Sequence, residues 1–165
     1  MDLALLIDRL SSDRVNFTVV EHLDPSSSKE MQTPINEFLK YIELRGIGNR
    51  VELVPWMDTN ELRTAYWNAD VTLCLSIYPE TFGNVVLESI ACGCPIVAYS
   101  VGALPEVSEN LDNVTLVEPG NIDQLEENLR KVLQGPTSFH HDYEILSSKW
   151  NGEHLIDALT HEIVR

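Results

Sequence analysis

Val71 to Ala98 reads VTLCLSIYPETFGNVVLESIACGCPIVA. Its first five residues are almost all apolar, as a strand buried on both faces requires. Gly83 to Cys92 then carries a helical pattern, and Pro95 to Ala98 returns to a short apolar strand. Strand, loop, helix and strand in this order form the repeating unit of a parallel sheet. The same alternation continues outward. Upstream, Asn16 to Glu21 and Val51 to Val54 read as strands, the second stopped by Pro55. Between them lie a loop at Pro25 to Lys29 and a helix at Asn36 to Arg45, ending near Gly46. Asp58-Thr59-Asn60-Glu61 is an N-cap cluster with its acid in the first turn. It opens a helix whose Leu62, Ala65 and Tyr66 share one face.

Downstream, Pro105 to Glu109 reads as a short helix and Val114 to Val117 as a strand. Asn121 to Leu133 is a helix with Ile122, Leu125, Leu129, Val132 and Leu133 inward, and further helical stretches cover His141 to Ser148 and Gly152 to Val164. The expected fold is α/β: a Rossmann-like parallel sheet with helices on both faces, in a single domain over residues 1–165. Such sheets take ligands beyond the carboxyl ends of their strands. The informative loops are therefore those after Leu75 and after Ala98.

Composition narrows the function. With 44% apolar and 22% charged residues the chain is globular rather than disordered. Its net charge of −15 opposes nucleic acid and anionic lipid as partners. No stretch approaches the roughly 20 apolar residues of a membrane span. The apolar run Leu3 to Ile7 is too short for a signal sequence, so a cytoplasmic location is the default expectation. Cys74, Cys92 and Cys94 sit in apolar settings and read as reduced core thiols. Cys92-x-Cys94 lacks the second ligand pair of a zinc site, and no metal is expected.

The chemistry is concentrated between Ser76 and Glu88. Pro79 stiffens the loop, and Gly83 allows close backbone approach to a ligand. The helix opening near Phe82 or Gly83 offers the N–H groups of about Gly83, Asn84 and Val85 with the positive dipole end behind them. That is a natural diphosphate site, and it answers locally the objection raised by the acidic surface. Glu88 projects from a largely apolar stripe of Asn84, Val85, Ala91 and Cys92. A carboxylate there is costly unless paired. It either packs its stem on the surface, caps a neighbouring loop, or accepts the two vicinal hydroxyls of a ribose. Glu80 either stabilises the helix dipole or faces a sugar beyond the phosphates.

The setting Glu-Thr-Phe-Gly-Asn-x-x-x-Glu-Ser-x-Ala-Cys-Gly-x-Pro-Ile-Val-Ala resembles the signature of the large retaining glycosyltransferase family 4, which has the GT-B fold. Asp58 to Val71 is similar to that family's helix ending in Tyr and Ala-Asp. Val101 to Val107 resembles its Gly-Gly-x-Pro-Glu-Val loop, with Ala103 in place of the second Gly. Pro119-Gly120-Asn121 and Ser148-Lys149-Trp150 also fit, so that residues 15–160 follow the family's carboxyl-terminal, donor-binding domain. The resemblance implies a nucleotide-diphosphate sugar as donor and transfer to an acceptor hydroxyl with retention of configuration. It implies that Glu88 holds the ribose and that Glu80, the one catalytic candidate, lies against the donor sugar. Backbone N–H groups around Phe82, Gly83, Asn84 and Val85 would bind diphosphate and sugar hydroxyls. Pro55 and Trp56 would lie near the nucleobase, although Trp56 also suits a core or lid position. The absence of Asp-x-Asp agrees with a site free of metal and cofactor.

Two departures stand out. The family's first strand and Gly-rich loop, with an Arg and a Lys for the diphosphate, have no counterpart here, since Asp2 to Leu10 looks like the helix that follows that loop. The amino-terminal acceptor domain is also missing. The expectation is a fragment that binds donor weakly and is inactive alone. Rival expectations are a non-catalytic GT-B module serving a partner, and a GT-B epimerase or phosphorylase-like enzyme. A dehydrogenase or P-loop protein is excluded by the lack of Gly-x-Gly-x-x-Gly after a strand and of Gly-Lys-Ser/Thr.

Overall fold

The computed structural model of the chain describes residues 1–10, 14–20, 29–79, 81–135 and 146. It divides into two compact units, Met1–Thr59 and Asn60–Arg165. The first holds α1 (Asp2–Arg9), β1 (Phe17–Val20), α2 (Lys29–Leu44) and β2 (Val51–Val54), with a 3-10 turn at Gly48–Arg50. β1 and β2 are parallel, with Phe17 opposite Val51 and Val20 opposite Val54. Ala4, Leu6, Ile7 and Leu10 from α1 are buried, as are Phe17, Phe38, Ile42 and Ile47. Asp8 ties α1 to α2, accepting a hydrogen bond from the Tyr41 hydroxyl at 3.3 Å and an ion pair from Arg45 at 2.8 Å. Arg50 donates through Nε and Nη2 to the Val15 carbonyl, which anchors the entry to β1 beside β2.

The second unit runs α3 (Thr59–Asn68), β3 (Thr72–Cys74), α4 (Asn84–Ala91), β4 (Ile96–Tyr99), α5 (Leu104–Val107), β5 (Val114–Val117) and α6 (Ile122–Gln134). Its three strands lie in the order β3-β4-β5, all parallel. All four residues of β4 are buried. Because successive strand side chains point to opposite faces, both faces of β4 are covered. Its core partners include Tyr66, Val86, Leu87, Ile90, Leu104, Val107 and Leu146. Asn121 caps α6, its side chain accepting from the Gln124 N–H at 3.0 Å. The inward set of α6 is smaller than its spacing predicts, with Leu125 and Leu129 buried and Leu133 37% exposed.

The parallel α/β architecture is as expected, with some differences of detail. Among the described residues five strands form two ladders, β1-β2 and β3-β4-β5, where the alternation predicts one. The strand buried on both faces is β4, not β3, all of whose residues are only half-buried. β3 is an edge of its ladder, and its apolar composition does not reveal that. α2 begins at Lys29, seven residues before the expected Asn36, and runs through Pro34. The helix expected from Pro105 instead spans Leu104–Val107, with the proline in its first turn, where no N–H is needed. Of the expected loop at Pro25 to Lys29, residues 25–28 lie outside the described residues and Lys29 instead opens α2. The closing helices also lie outside them, apart from helical Leu146. Among the described residues no helix is long and apolar enough to cross a membrane.

Candidate functional site

The loop leaving β3 carries an exposed apolar rim. Ile77 and Tyr78 are exposed, and the Tyr78 N–H is held back by the Ser76 hydroxyl at 3.3 Å. Phe82 and Val85 are 44% and 38% exposed, and Asn84 between them is also exposed. Glu80 lies outside the described residues. Phe82, Gly83, Asn84, Val85 and Glu88 are therefore brought together at the start of α4, on the carboxyl side of β3. Pro55 and Trp56 follow β2 in the first unit, and both are exposed. A core role for Trp56 is ruled out by its 63% exposure.

Gly83 is the N-cap of α4 and sits in the left-handed region at φ 75°. Its carbonyl accepts the first helical bonds, from Val86 N–H at 2.9 Å and Leu87 N–H at 3.3 Å. Among the described residues no side chain caps this end. The first N–H groups of a helix and its positive dipole end are the features on which the expected diphosphate site rests. The reason for glycine, however, differs from the expected one. Gly83 is buried, and a Cβ built on it meets Leu104 Cδ2 at 2.5 Å. The space that a side chain would need is taken by the chain's own α5, not kept open for a ligand.

Glu88 lies one turn into α4 and is half-buried. Ala91 and Cys92 on one side of it are buried, while Asn84 and Val85 on the other are exposed, so it marks the border between core and surface. Its Oε2 accepts a hydrogen bond from the Tyr66 hydroxyl at 3.2 Å. Burial pushes the Glu88 carboxyl above the usual glutamate range, and the Tyr66 bond partly offsets this. Tyr66 itself is raised well above the usual phenol range, first by burial and then by the neighbouring Glu88 charge. The costly carboxylate is thus paired, by a residue whose spacing on α3 places it among core positions. The signal available in the sequence was chemical: a buried tyrosine hydroxyl needs an acceptor.

Other signature residues serve the fold. Ser89 is fully buried; its hydroxyl hydrogen-bonds Thr72 Oγ1 at 2.8 Å and donates to the Cys94 carbonyl at 2.8 Å. Gly93 turns the chain at φ 74°, and Cys94 N–H donates to the Ser89 carbonyl at 2.9 Å. These bonds fasten the end of α4 to β3 and the entry to β4. Burial pushes the Cys92 thiol up to about 11, which keeps it protonated and unreactive. Ser89→Ala should destabilise the chain by about 1–3 kcal/mol, because Thr72 and the Cys94 carbonyl lose a buried partner. Chemical denaturation would read this; an unchanged midpoint would show that the knot carries no stability.

Parallel strands with helices between them, in this order, are the fold of GT-B glycosyltransferases. The chain belongs to the glycosyl transferases group 1 family, whose profile matches residues 32–148. It is 31% identical over 115 residues to a D-inositol 3-phosphate glycosyltransferase of Mycolicibacterium smegmatis, which covers 69% of this chain. The match spans only 26% of that relative's length. Among solved structures, the C-terminal domain of the glycosyl transferase group 1 protein LpcC from Francisella tularensis superposes with a TM-score of 0.75 at 20% identity. It covers 90% of this chain and 77% of that one. Anabaena HepE in complex with UDP superposes with a TM-score of 0.75 at 22% identity, covering 96% of this chain and 44% of that one.

Proposed function

We propose that this chain is the donor-binding part of a retaining, family 4 glycosyltransferase, gripping a nucleotide-diphosphate sugar at the start of α4. The observation that carries the proposal is Glu88, a half-buried carboxylate held by Tyr66 one turn behind an uncapped helix N-terminus. A carboxyl group is retained there against its desolvation cost, and a ribose diol is a ligand that uses it. Backbone N–H groups around Phe82, Gly83, Asn84 and Val85 hold the diphosphate and donor-sugar hydroxyls, and Glu80 faces the sugar. Pro55 and Trp56 serve the base. The leaving diphosphate is stabilised by these dipoles without a metal. That HepE was solved with UDP supports the same ligand class here. Residues 1–165 act as one donor-binding domain. The match spans only 26% of the relative's length, so the acceptor is held by another part of the protein, and this segment by itself binds donor weakly and does not turn over.

Thermal melts with UDP, GDP, ADP and their sugar conjugates test this. Ligand at a hundred times its dissociation constant adds about 2.7 kcal/mol, or roughly 5–10 °C at this size. A shift with one base is expected. No shift with any base at millimolar concentration, even with an amino-terminal GT-B half supplied in trans, would sink the proposal.

A further inference from the structure

Tyr66 and Glu88 come from different elements, α3 and α4, and meet through one bond of 3.2 Å. The tyrosine ring is packed in the core with Val86, Leu87, Ile90 and Leu104, and only 8% of the residue is exposed. Its hydroxyl therefore has a fixed place, set by the core rather than by solvent. Glutamate has the opposite character: a long side chain with several rotatable bonds, whose ordering costs entropy on binding. Among the described residues the Tyr66 hydroxyl is the one side-chain group hydrogen-bonded to this carboxylate.

We propose that Tyr66 is a positioning residue for the donor's ribose: its buried hydroxyl fixes one oxygen of the Glu88 carboxylate, so that the group meets the ribose diol in a single orientation. The inference rests on the ribose role of Glu88 proposed above. The hydroxyl also acts electrically, since a donor to the charged form favours it. The titratable groups facing this pair are Cys92 at the C-cap of α4, with Arg63 on α3 and Cys94 acting on the same cluster. Both thiols are pushed up by burial and stay neutral, so Tyr66 is the group that answers the Glu88 charge directly.

The test compares UDP with its dideoxy analogue, which lacks both ribose hydroxyls, on the chain and on Tyr66→Phe, Glu88→Gln and the double variant. Dissociation constants come from ligand-observed NMR. The chain should prefer UDP. Tyr66→Phe should weaken UDP by about tenfold and leave the analogue unchanged, because a charged hydrogen bond of this kind is worth about that much. In the Glu88→Gln background the same change should do nothing further. A merely structural Tyr66 would weaken both ligands alike, and that result overturns the proposal. So does a Tyr66→Phe variant that still discriminates as the chain does. If the chain itself fails to prefer UDP over the analogue, the ribose role of Glu88 falls first and the proposal with it. Should Tyr66→Phe not fold, a ring-fluorinated tyrosine at position 66, a stronger donor, reverses the sign: UDP should bind more tightly and the analogue equally. An unchanged UDP constant there overturns the proposal as well.

Discussion

Gly83→Val should lower the melting temperature of this chain by about 10 °C, whether or not nucleotide is present. Two separate costs add. A non-glycine residue at φ 75° costs about 1–2 kcal/mol, and a β-branched one more. The new Cβ also lies 2.5 Å from Leu104 Cδ2, and Leu104 is fully buried. Overpacking of that kind costs about 1–3 kcal/mol. Together they reach about 3–5 kcal/mol, which at this size moves the midpoint by about 10 °C. Circular dichroism melts read it directly. The alternative, in which glycine leaves room for a ligand, predicts normal stability and lost affinity, and a normal melt would restore it. A double-mutant cycle of Gly83→Ala with Leu104→Ala separates the terms. The clash should appear as a coupling of about 1–2 kcal/mol, while the backbone term persists.

Glu88→Gln should weaken nucleotide binding by a hundredfold or more and stabilise the fold at neutral pH. The binding loss follows from two hydroxyl bonds to a charged acceptor, about 3 kcal/mol or more between them. Glutamine is the cleaner variant. Alanine would leave the buried Tyr66 hydroxyl without its acceptor and so mix a folding cost into the result. The stability gain has a definite sign. The folded-state pKa of Glu88 is raised, chiefly by burial. Its contribution is therefore fully present below the unfolded value and lost as pH rises through the folded one. The chain and the variant should melt alike near pH 4, within the ordinary carboxylate range. The variant should melt higher at pH 7. Equal melting at both pH values would mean that burial does not strain this carboxylate. Undiminished UDP affinity would remove it from the site.

How far the sequence reaches depends on what kind of constraint each residue answers. Val51–Val54 and Val114–Val117 fall where their apolar runs predict, since strand length and turn residues are local properties. Glu88 was legible because a carboxylate on an apolar stripe demands a reason within one helix. Tyr66 was not, because its role is a contact between α3 and α4, and helical spacing places it with Leu62 and Ala65 as one more core residue. Gly83 shows an intermediate case. The need for glycine could be read from position, but the neighbour that enforces it, Leu104, lies beyond another strand. Burial of β4 rather than β3 is likewise a matter of ladder order, which composition does not encode.

The complete enclosure of β4 also bears on how the chain reaches its fold. From Ser89 to Pro105 no residue carries a formal charge, in a chain whose net charge is −15. Like-charge repulsion keeps most of the unfolded molecule apart from its copies, but it is absent over this stretch. β4 needs β5, made later, before its second edge is paired. Parallel pairings wait on a crossover and close slowly, so the second edge of this segment stays open until β5 is in place. Pro95 at its entrance and Gly102 beyond its end interrupt the run on either side and limit the length available for stacking between molecules. Self-association during folding is thus concentrated in the same strand that anchors the finished domain.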